Sequence, residues 1–196
     1  MKIGIDIDEV VVEFVKEYLE IYNKRYHQNK TAKEIDTYNL WIPLGISREE
    51  AFNITDEFYA SKDFDNISLV RGAYEGICML GKKHDLFFIT SRPESIKDKT
   101  ENFFKRNFPK LNYQLIFSGD LFSCQEKTKA NICKRLGVEV IIEDNLDYAH
   151  DCANVGIVAY LLNKPWNQNG SLPKKIVRVK DWNEILSEIN KDNLKN

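Results

Sequence analysis

Residues 1–12, MKIGIDIDEVVV, combine an apolar alternation with two closely spaced carboxylates. Isoleucines at every second position predict a β-strand over Lys2–Ile7. Asp6 and Asp8 then lie near the carboxyl end of that strand, where two close negative charges repel each other. Bound Mg²⁺ relieves such repulsion, because it prefers carboxylate and carbonyl oxygens as ligands. The alternative is a pair of aspartates that only ends a strand at a turn.

The composition restricts the class of protein. A chain of 196 residues has room for one domain, or for one domain with an insertion. Apolar residues make up 43% and charged residues 30%, which is typical of a soluble globular protein. The net charge of −2 and the pI near 6.0 argue against binding of long nucleic acid, although small anionic ligands remain compatible with them.

The cysteines and the apolar runs predict a cytoplasmic protein. No C-x-x-C pair occurs, so zinc-binding and thioredoxin-like motifs are not indicated, and isolated thiols fit a reducing compartment. The first residues do not resemble a signal peptide, and no apolar run reaches the roughly 18–20 residues of a membrane span. We therefore expect no membrane association. The cysteines are Cys78, Cys124, Cys133 and Cys152.

Strand and helix patterns alternate along the chain, which is typical of a parallel sheet built from βαβ units. Most predicted strands are nearly continuous apolar runs, as expected where helices cover both faces of a sheet. Apolar stripes with the helical period lie between them, and Gly137 predicts the end of one helix. The predicted strands are Lys2–Ile7, Leu86–Thr90, Tyr113–Phe117, Glu139–Glu143, Gly156–Leu161 and an edge strand at Lys175–Val179.

The segment between the first two predicted strands follows a different pattern. No parallel strand is predicted from Glu13 to about Val70. A helix is indicated from Val15 onward, and a second over Arg48–Ala60, where Ser47 and Glu50 form a capping-box pattern. We therefore expect residues 14–70 to be a small helical cap inserted into a core formed by residues 1–13 and 71–196.

Polar side chains follow several predicted elements at the edge of the sheet where ligands bind in open parallel sheets. This set favours phosphoryl transfer. An aspartate can attack phosphorus and a second acid can protonate the leaving oxygen, while Mg²⁺ neutralises developing charge. A hydroxyl and an ammonium group then bind phosphate oxygens. Asp6, Asp8, Asp144, Thr90 and a lysine fill these roles.

The helical period selects Lys129 as that lysine. Lys129 shares an apolar stripe with Ile132, Cys133 and Leu136, which places it on the core-facing side near the start of a helix. Lys127 lies off that stripe and is expected in solvent. An ammonium group on an apolar stripe requires a counter-charge. The alternative is a side chain whose stem packs while its charge reaches water.

The order of these motifs, D-x-D, four apolar residues with Thr-Ser, Lys, and three apolar residues with Glu-Asp, resembles the haloacid dehalogenase (HAD) superfamily. The segments DIDEVVVEF, ITSRPE, KANICKRLGVEVIIEDNLDYA and NKPWNQN are similar to its 5′(3′)-deoxyribonucleotidase-like branch. The resemblance implies an α/β fold with a Rossmannoid three-layer αβα core and a helical cap after the first strand. It also implies a Mg²⁺-dependent phosphohydrolase that acts through an aspartyl-phosphate.

The resemblance assigns roles to particular residues. It implies that Asp6 is the nucleophile and that Asp8, two positions later as in phosphatases and phosphotransferases, is the general acid/base. Thr90 and Lys129 would bind phosphate. Asp6, the Asp8 backbone carbonyl and Asp144 would hold Mg²⁺.

The chain departs from that pattern at two positions. Glu9 stands where the nucleotidases usually have glycine, so we expect a difference in the turn or in its approach to substrate. Glu143 precedes Asp144 where two aspartates are usual, and we expect Glu143 only to tune the metal ligand Asp144. Asp147 either orients metal-bound water or Lys129, or is an ordinary residue in the first turn of a helix.

Substrate specificity is expected from the cap and from the loops at the strand ends. Phe14, Tyr18, Tyr38 and Trp41 either stack on a base or form the interior of the cap. Ser91 is expected beside the substrate, and Arg92 either contacts a phosphate or sugar or forms a surface salt bridge. Trp166 and Asn167 either line the entrance or belong to a packed loop.

These patterns predict a small phosphomonoester substrate, with nucleoside monophosphates preferred, and a monomer or homodimer. One alternative is a HAD phosphatase or phosphotransferase for sugar phosphates or another small metabolite. The other is a non-catalytic HAD-like binding or regulatory module. The complete set of Asp6, Asp8, Thr90, Lys129 and Asp144 argues against the second alternative.

Overall fold

The described residues form one parallel sheet with helices on both faces. The structure is a computed structural model that describes residues 1–118 and 128–193, so Cys124 and Lys127 lie outside the described residues. The strand order is β3-β2-β1-β4-β5-β6, which places the first strand at the centre. The strands are β1 (Lys2–Ile5), β2 (Asp85–Thr90), β3 (Tyr113–Phe117), β4 (Val140–Glu143), β5 (Val158–Leu162) and β6 (Ile176–Val179).

The helices complete the predicted three-layer αβα arrangement. The α-helices are α1 (Phe14–Tyr26), α2 (Trp41–Leu44), α3 (Arg48–Ala60), α4 (Lys62–Asp65), α5 (Ala73–Leu80), α6 (Lys97–Asn107), α7 (Lys129–Leu136), α8 (Leu146–Asn154) and α9 (Trp182–Asn193). Short 3-10 helices lie at Ala32–Glu34, Glu94–Ile96 and Pro165–Asn167. Helix α7 ends at Gly137, which adopts the left-handed conformation at φ 72°, as the sequence predicts.

Successive residues of each central strand face opposite sides of the sheet. Ile142 belongs to one apolar cluster together with residues of α5, α6 and α9, whereas Ile141 belongs to a second cluster together with residues of α7 and α8. Both sides of β4 are therefore buried, which explains the continuous apolar run seen in its sequence.

The turn that follows β1 is anchored to the sheet and to the last helix. Strand β1 ends at Ile5, two residues before the predicted end, although the Asp6 backbone N–H still donates to the Ile142 carbonyl at 3.0 Å. The Val11 and Val12 backbone N–H groups then donate to the Ile7 carbonyl at 2.8 and 3.1 Å. The Trp182 indole closes this turn by donating to the Val10 carbonyl at 2.9 Å.

Helices α1 to α4 lie between β1 and α5. The described segment that they form supplies no strand of the main sheet. Helix α3 covers the predicted Arg48–Ala60, with Ser47 and Glu50 forming the expected capping box. Buried residues of α1 to α3 form a separate apolar cluster, yet Phe58 and Phe64 pack in the main core. The division into a cap over residues 14–70 and a surrounding core remains a proposal. None of the helices in the described ranges has the length and apolarity needed to cross a membrane.

Candidate active site

Asp6 and Asp144 meet at the centre of the sheet because they follow adjacent strands. Strands β1 and β4 pair in parallel, with Ile5 opposite Ile142, so their carboxyl ends lie side by side. The chain order reverses direction at this point of the sheet, which is where open α/β sheets bind ligands. Asp6, Glu143 and Asp144 are buried, and each offers one carboxylate oxygen within 4.8 Å of the others.

Lys129 bridges two of these carboxylates. It is the first residue of α7, whose amino end is capped by the Thr128 side chain. Its Nζ lies 2.5 Å from Asp6 Oδ1 and 2.6 Å from Glu143 Oε1, and 4.6 Å from the centre of the Tyr148 ring. The apolar stripe thus placed this lysine on the buried side of its helix, with two counter-charges.

Glu143 holds the ends of β4 and α7 together. Its Oε2 accepts hydrogen bonds from the Asp144 and Asn145 backbone N–H groups at 2.8 and 3.0 Å, while Oε1 accepts from Lys129. Sequence reasoning left the role of Glu143 open. A glutamate that ends a fully buried apolar strand was a signal that it pairs with a buried cation.

The electrostatics of the cluster fit a divalent cation. Burial raises the pKa of Asp6 to about 7, and the Glu143 and Asp8 carboxylates add to this shift while Lys129 opposes it. Burial, followed by the charges of Glu143 and Asp6, raises the pKa of Asp144 well above its usual value. Four carboxylates therefore face two cations, Lys129 and Arg92. An oxygen-rich, buried and negatively charged donor set of this kind suits Mg²⁺.

Thr90 and Ser91 come from the end of β2, beside Asp6. The Thr90 carbonyl accepts hydrogen bonds from the Ser118 backbone N–H at 2.8 Å and from the Ser118 hydroxyl at 3.0 Å. Thr90 Oγ1 accepts from the Arg92 backbone N–H at 3.1 Å. Thr90 and Ser91 both line the cleft described below, next to Lys129.

Asp8 and Arg92 form a bidentate ion pair. Arg92 Nε donates to Asp8 Oδ2 at 3.0 Å, and Arg92 Nη2 donates to Asp8 Oδ1 at 2.6 Å. The Arg92 side chain is 1% exposed and that of Asp8 is 26% exposed. The salt bridge considered from the sequence is therefore present, but it lies in the interior instead of on the surface.

The loop after β5 secures Asp144. Trp166 lines the cleft, and its indole N–H donates to Asp144 Oδ2 at 2.8 Å. Asn167 is buried and donates to the Asp144 and Leu162 carbonyls, both at 2.7 Å. The sequence left open whether these two residues line the entrance or belong to a packed loop. Trp166 lines the cleft, whereas Asn167 is packed inside the loop.

Glu9 occupies a backbone conformation that favours glycine. Its φ is 63°, in the left-handed region. Its Oε1 accepts a hydrogen bond from the Val15 backbone N–H at 2.6 Å, and its Oε2 accepts from Lys164 Nζ at 2.8 Å. The carboxylate therefore joins the turn after β1 to the start of α1 and to the loop after β5.

A cleft of about 240 Å³ opens above the buried charges. Its charged floor consists of Asp6, Asp8, Thr90, Lys129 and Asp144, and Ser91 and Arg92 line it as well. Seven aromatic side chains also line the cleft, and we call them the aromatic wall: Phe14, Tyr18, Tyr38, Trp41, Phe52, Tyr59 and Tyr148.

The four aromatic residues singled out from the sequence all line the cleft, but they differ in their packing. Tyr18 is fully buried and donates to the Ala51 carbonyl at 3.3 Å, whereas Tyr38 is 48% exposed. Sequence reasoning missed Tyr148, which comes four residues after Asp144 in the first turns of α8. Asp147 is exposed in the same turn, as expected of an ordinary residue at that position.

Comparisons with known proteins agree with this geometry. The family model described as "5' nucleotidase, deoxy (Pyrimidine), cytosolic type C protein" matches residues 1–193. "Putative nucleotidase BH1399" of Halalkalibacterium halodurans is 24% identical over 190 residues, covering 93% of this chain and 89% of that protein. "Nucleotidase CA_C3379" of Clostridium acetobutylicum is 22% identical over 191 residues, covering 97% and 94%.

Solved structures show the same fold. The haloacid dehalogenase-like hydrolase SP0104 from Streptococcus pneumoniae superposes with a TM-score of 0.64 at 17% identity, covering 96% of this chain and 97% of that chain. The family match extends over nearly the whole sequence, including every residue of the charged floor. The chain therefore belongs to the cytosolic type C family of 5′ deoxynucleotidases and is a phosphatase of the HAD type.

Proposed function

We propose that this protein is a Mg²⁺-dependent phosphomonoesterase that hydrolyses (deoxy)nucleoside monophosphates through an aspartyl-phosphate on Asp6. One observation carries the proposal. The buried Asp6 carboxylate lies 2.5 Å from the Lys129 ammonium group and beside Asp144, at the bottom of a cleft with an aromatic wall. A nucleophile, a cation for phosphate and a metal site thus share one floor.

In the first half-reaction, an Asp6 carboxylate oxygen attacks phosphorus and the bond from phosphorus to the ester oxygen breaks. Asp8, protonated at a carboxyl lone pair that Arg92 does not use, donates that proton to the ester oxygen, so the nucleoside leaves as an alcohol. The products of this step are a free nucleoside and a phosphoryl group bonded to Asp6.

In the second half-reaction, water attacks the phosphoryl group on Asp6 while Asp8 takes a proton from that water. The bond between phosphorus and the Asp6 oxygen then breaks, which releases phosphate and restores both carboxyl groups. Over the full cycle, Asp8 thus donates one proton to the leaving group and takes one proton from water.

The remaining floor residues bind the phosphoryl oxygens. Burial opposes the charged form of Lys129, but the Asp6 and Glu143 charges raise its pKa well above the usual value, so its ammonium group stays charged. Thr90 and Ser91 supply hydroxyl donors. Asp6, Asp144 and the Asp8 carbonyl would hold Mg²⁺, which neutralises charge on the phosphoryl oxygens when bound.

The aromatic wall favours a nucleoside over a sugar as the leaving group, since base stacking on aromatic rings contributes about 1–3 kcal/mol per base. Residues 14–70, as a cap, supply most of that wall. The unpaired thiols Cys78, Cys133 and Cys152 support a cytoplasmic location.

Phosphate release from a panel of phosphomonoesters, with Mg²⁺ and with EDTA, tests the proposal. The panel contains deoxynucleoside monophosphates, ribonucleoside monophosphates and sugar phosphates. We expect Mg²⁺-dependent release that is fastest with nucleoside monophosphates. Faster release from sugar phosphates would contradict the substrate class alone, and equal release in EDTA would contradict the metal requirement.

A further inference from the structure

The Arg92 guanidinium group has acceptors on two side chains, Asp8 and Thr100. Two of its nitrogens donate to Asp8, at 3.0 and 2.6 Å, and Nη1 donates to Thr100 Oγ1 at 3.2 Å. All three nitrogens thus have protein acceptors. Although Arg92 borders the cleft, only 1% of its side chain is accessible.

The surroundings of Arg92 hold it in this orientation. The guanidinium carbon lies 4.9 Å from the centre of the Phe64 ring, and Thr100 is itself fixed because its hydroxyl donates to the Ile96 carbonyl at 3.0 Å. Arg92 is therefore anchored by α6 on one side and by α4 on another. Asp8 is the partner that faces the cleft, with 26% of its side chain exposed.

We propose that Arg92 is a positioning residue that aims the Asp8 carboxyl group at the ester oxygen, and that it is not a ligand of the substrate phosphate. The inference rests on the proposed function, in which Asp8 moves the proton. A bidentate pair fixes both torsions of the aspartate side chain, because two parallel hydrogen bonds define a plane as well as a distance. Lysine cannot reproduce that plane.

Substrates with different leaving groups can distinguish between Arg92 as a positioning residue and Arg92 as a ligand of the substrate phosphate. A deoxynucleoside leaves as a poor alkoxide and needs the proton from Asp8, whereas p-nitrophenolate leaves without protonation at neutral pH. The ratio kcat/KM reports the steps through the formation of the phosphoenzyme. If the Asp8 carboxyl group is misoriented, kcat/KM should therefore fall much more for the nucleotide than for the aryl phosphate.

The experiment compares Arg92→Lys with wild type on deoxythymidine 5′-monophosphate and on p-nitrophenyl phosphate, with inorganic phosphate as inhibitor. We expect kcat/KM to fall about 100-fold for the nucleotide and less than about 10-fold for p-nitrophenyl phosphate, with an unchanged inhibition constant for phosphate. Lys97→Met, which removes an exposed positive charge on the same helix as Thr100, is the control and should match wild type on all three measurements.

Two results would overturn the inference: equal losses on both substrates, or an inhibition constant for phosphate that rises tenfold or more, as expected of a phosphate ligand. Thr100→Val provides a second variant in case Arg92→Lys fails to fold. It removes the Nη1 anchor and keeps the side-chain shape, so we expect the same selective loss at about 3- to 10-fold. A uniform effect of Thr100→Val contradicts the inference in the same way.

These outcomes remain distinguishable from failure of the proposed function. If wild-type protein releases no phosphate from either substrate with Mg²⁺, the proposed function is wrong. If wild type hydrolyses both substrates and neither variant discriminates between them, only the role of Arg92 is wrong.

Discussion

The charged floor and the aromatic wall of the cleft are built in different ways. The floor lies at the ends of central strands, and its charges hold one another: Lys129 pairs with Asp6 and Glu143, and Arg92 pairs with Asp8. The wall comes mostly from helices and loops between β1 and α5, and two of its rings, Tyr38 and Phe52, are about half exposed. If the floor performs the chemistry and the wall selects the substrate, as we propose, variants of the two regions should affect different kinetic constants.

Asp6→Asn should abolish catalysis at the charged floor and leave the structure of the aromatic wall unchanged. The amide keeps the shape of the side chain but cannot act as the nucleophile, so we expect phosphate release to fall at least about 1,000-fold. Circular dichroism should show an unchanged fold. Asp147→Asn, at an exposed neighbouring acid, is the matched control and should retain full activity. Turnover by Asp6→Asn above a few per cent of wild type would rule out its role as nucleophile.

Asp144→Asn should weaken the metal site without changing the wall. We expect the Mg²⁺ concentration for half-maximal activity to rise about 10- to 100-fold, since one anionic oxygen is lost. Thermal unfolding gives a second measurement, because a metal at a hundredfold excess over its Kd stabilises the folded state by about 2.7 kcal/mol. This Mg²⁺-dependent rise in Tm should shrink or vanish in the variant. An unchanged Mg²⁺ dependence of both quantities would remove Asp144 from the metal site.

Trp41→Ala should affect the wall and leave the floor intact. Loss of one stacking ring should raise KM for deoxynucleoside monophosphates about tenfold, with little change in kcat. KM for glycerol 3-phosphate, which has no ring, should stay constant. Ile42→Ala, at a neighbouring exposed residue, controls for changes in the helix. A parallel rise in KM for both substrates would mean that Trp41 acts on the fold of the wall and not on a base.

Glu9 connects the two regions, and its replacement should have the smallest effect. Glycine relieves the positive φ, whereas alanine retains it, and both remove the hydrogen bond to Val15 and the ion pair with Lys164. We therefore expect Glu9→Gly to be more stable than Glu9→Ala by about 1 kcal/mol in urea unfolding. Equal stability of the two variants would show that the backbone at Glu9 carries no strain.

The local patterns of the sequence were sufficient to predict the sheet and the burial of Lys129. Apolar runs bounded by turn residues placed the strands within two residues of their observed ends. The apolar stripe of α7 placed Lys129 in the interior. These features depend on periodicity, which is a property of neighbouring residues.

The pairings of the floor were not predictable in the same way. Arg92 and Asp8 are 84 residues apart, and nothing in either motif states which way the guanidinium group turns. The choice depends on Thr100 and Phe64, which belong to other helices. For the positive φ of Glu9, the signal was the glycine that the similar nucleotidases usually have at this position, because glutamate itself does not indicate a left-handed conformation.

The central position of β1 has a consequence for the synthesis of the chain on the ribosome. Asp6 is separated from Lys129 by 123 residues. At about 5–20 residues per second, roughly 6–25 s pass between the translation of Asp6 and that of its ammonium partner. Strand β1 also has to wait for β2 and β4 on either side. A nascent chain interrupted before β4 would hold the aspartates of the first turn but no cleft, so a partly made copy of this phosphatase has no means of attacking phosphate esters in the cell.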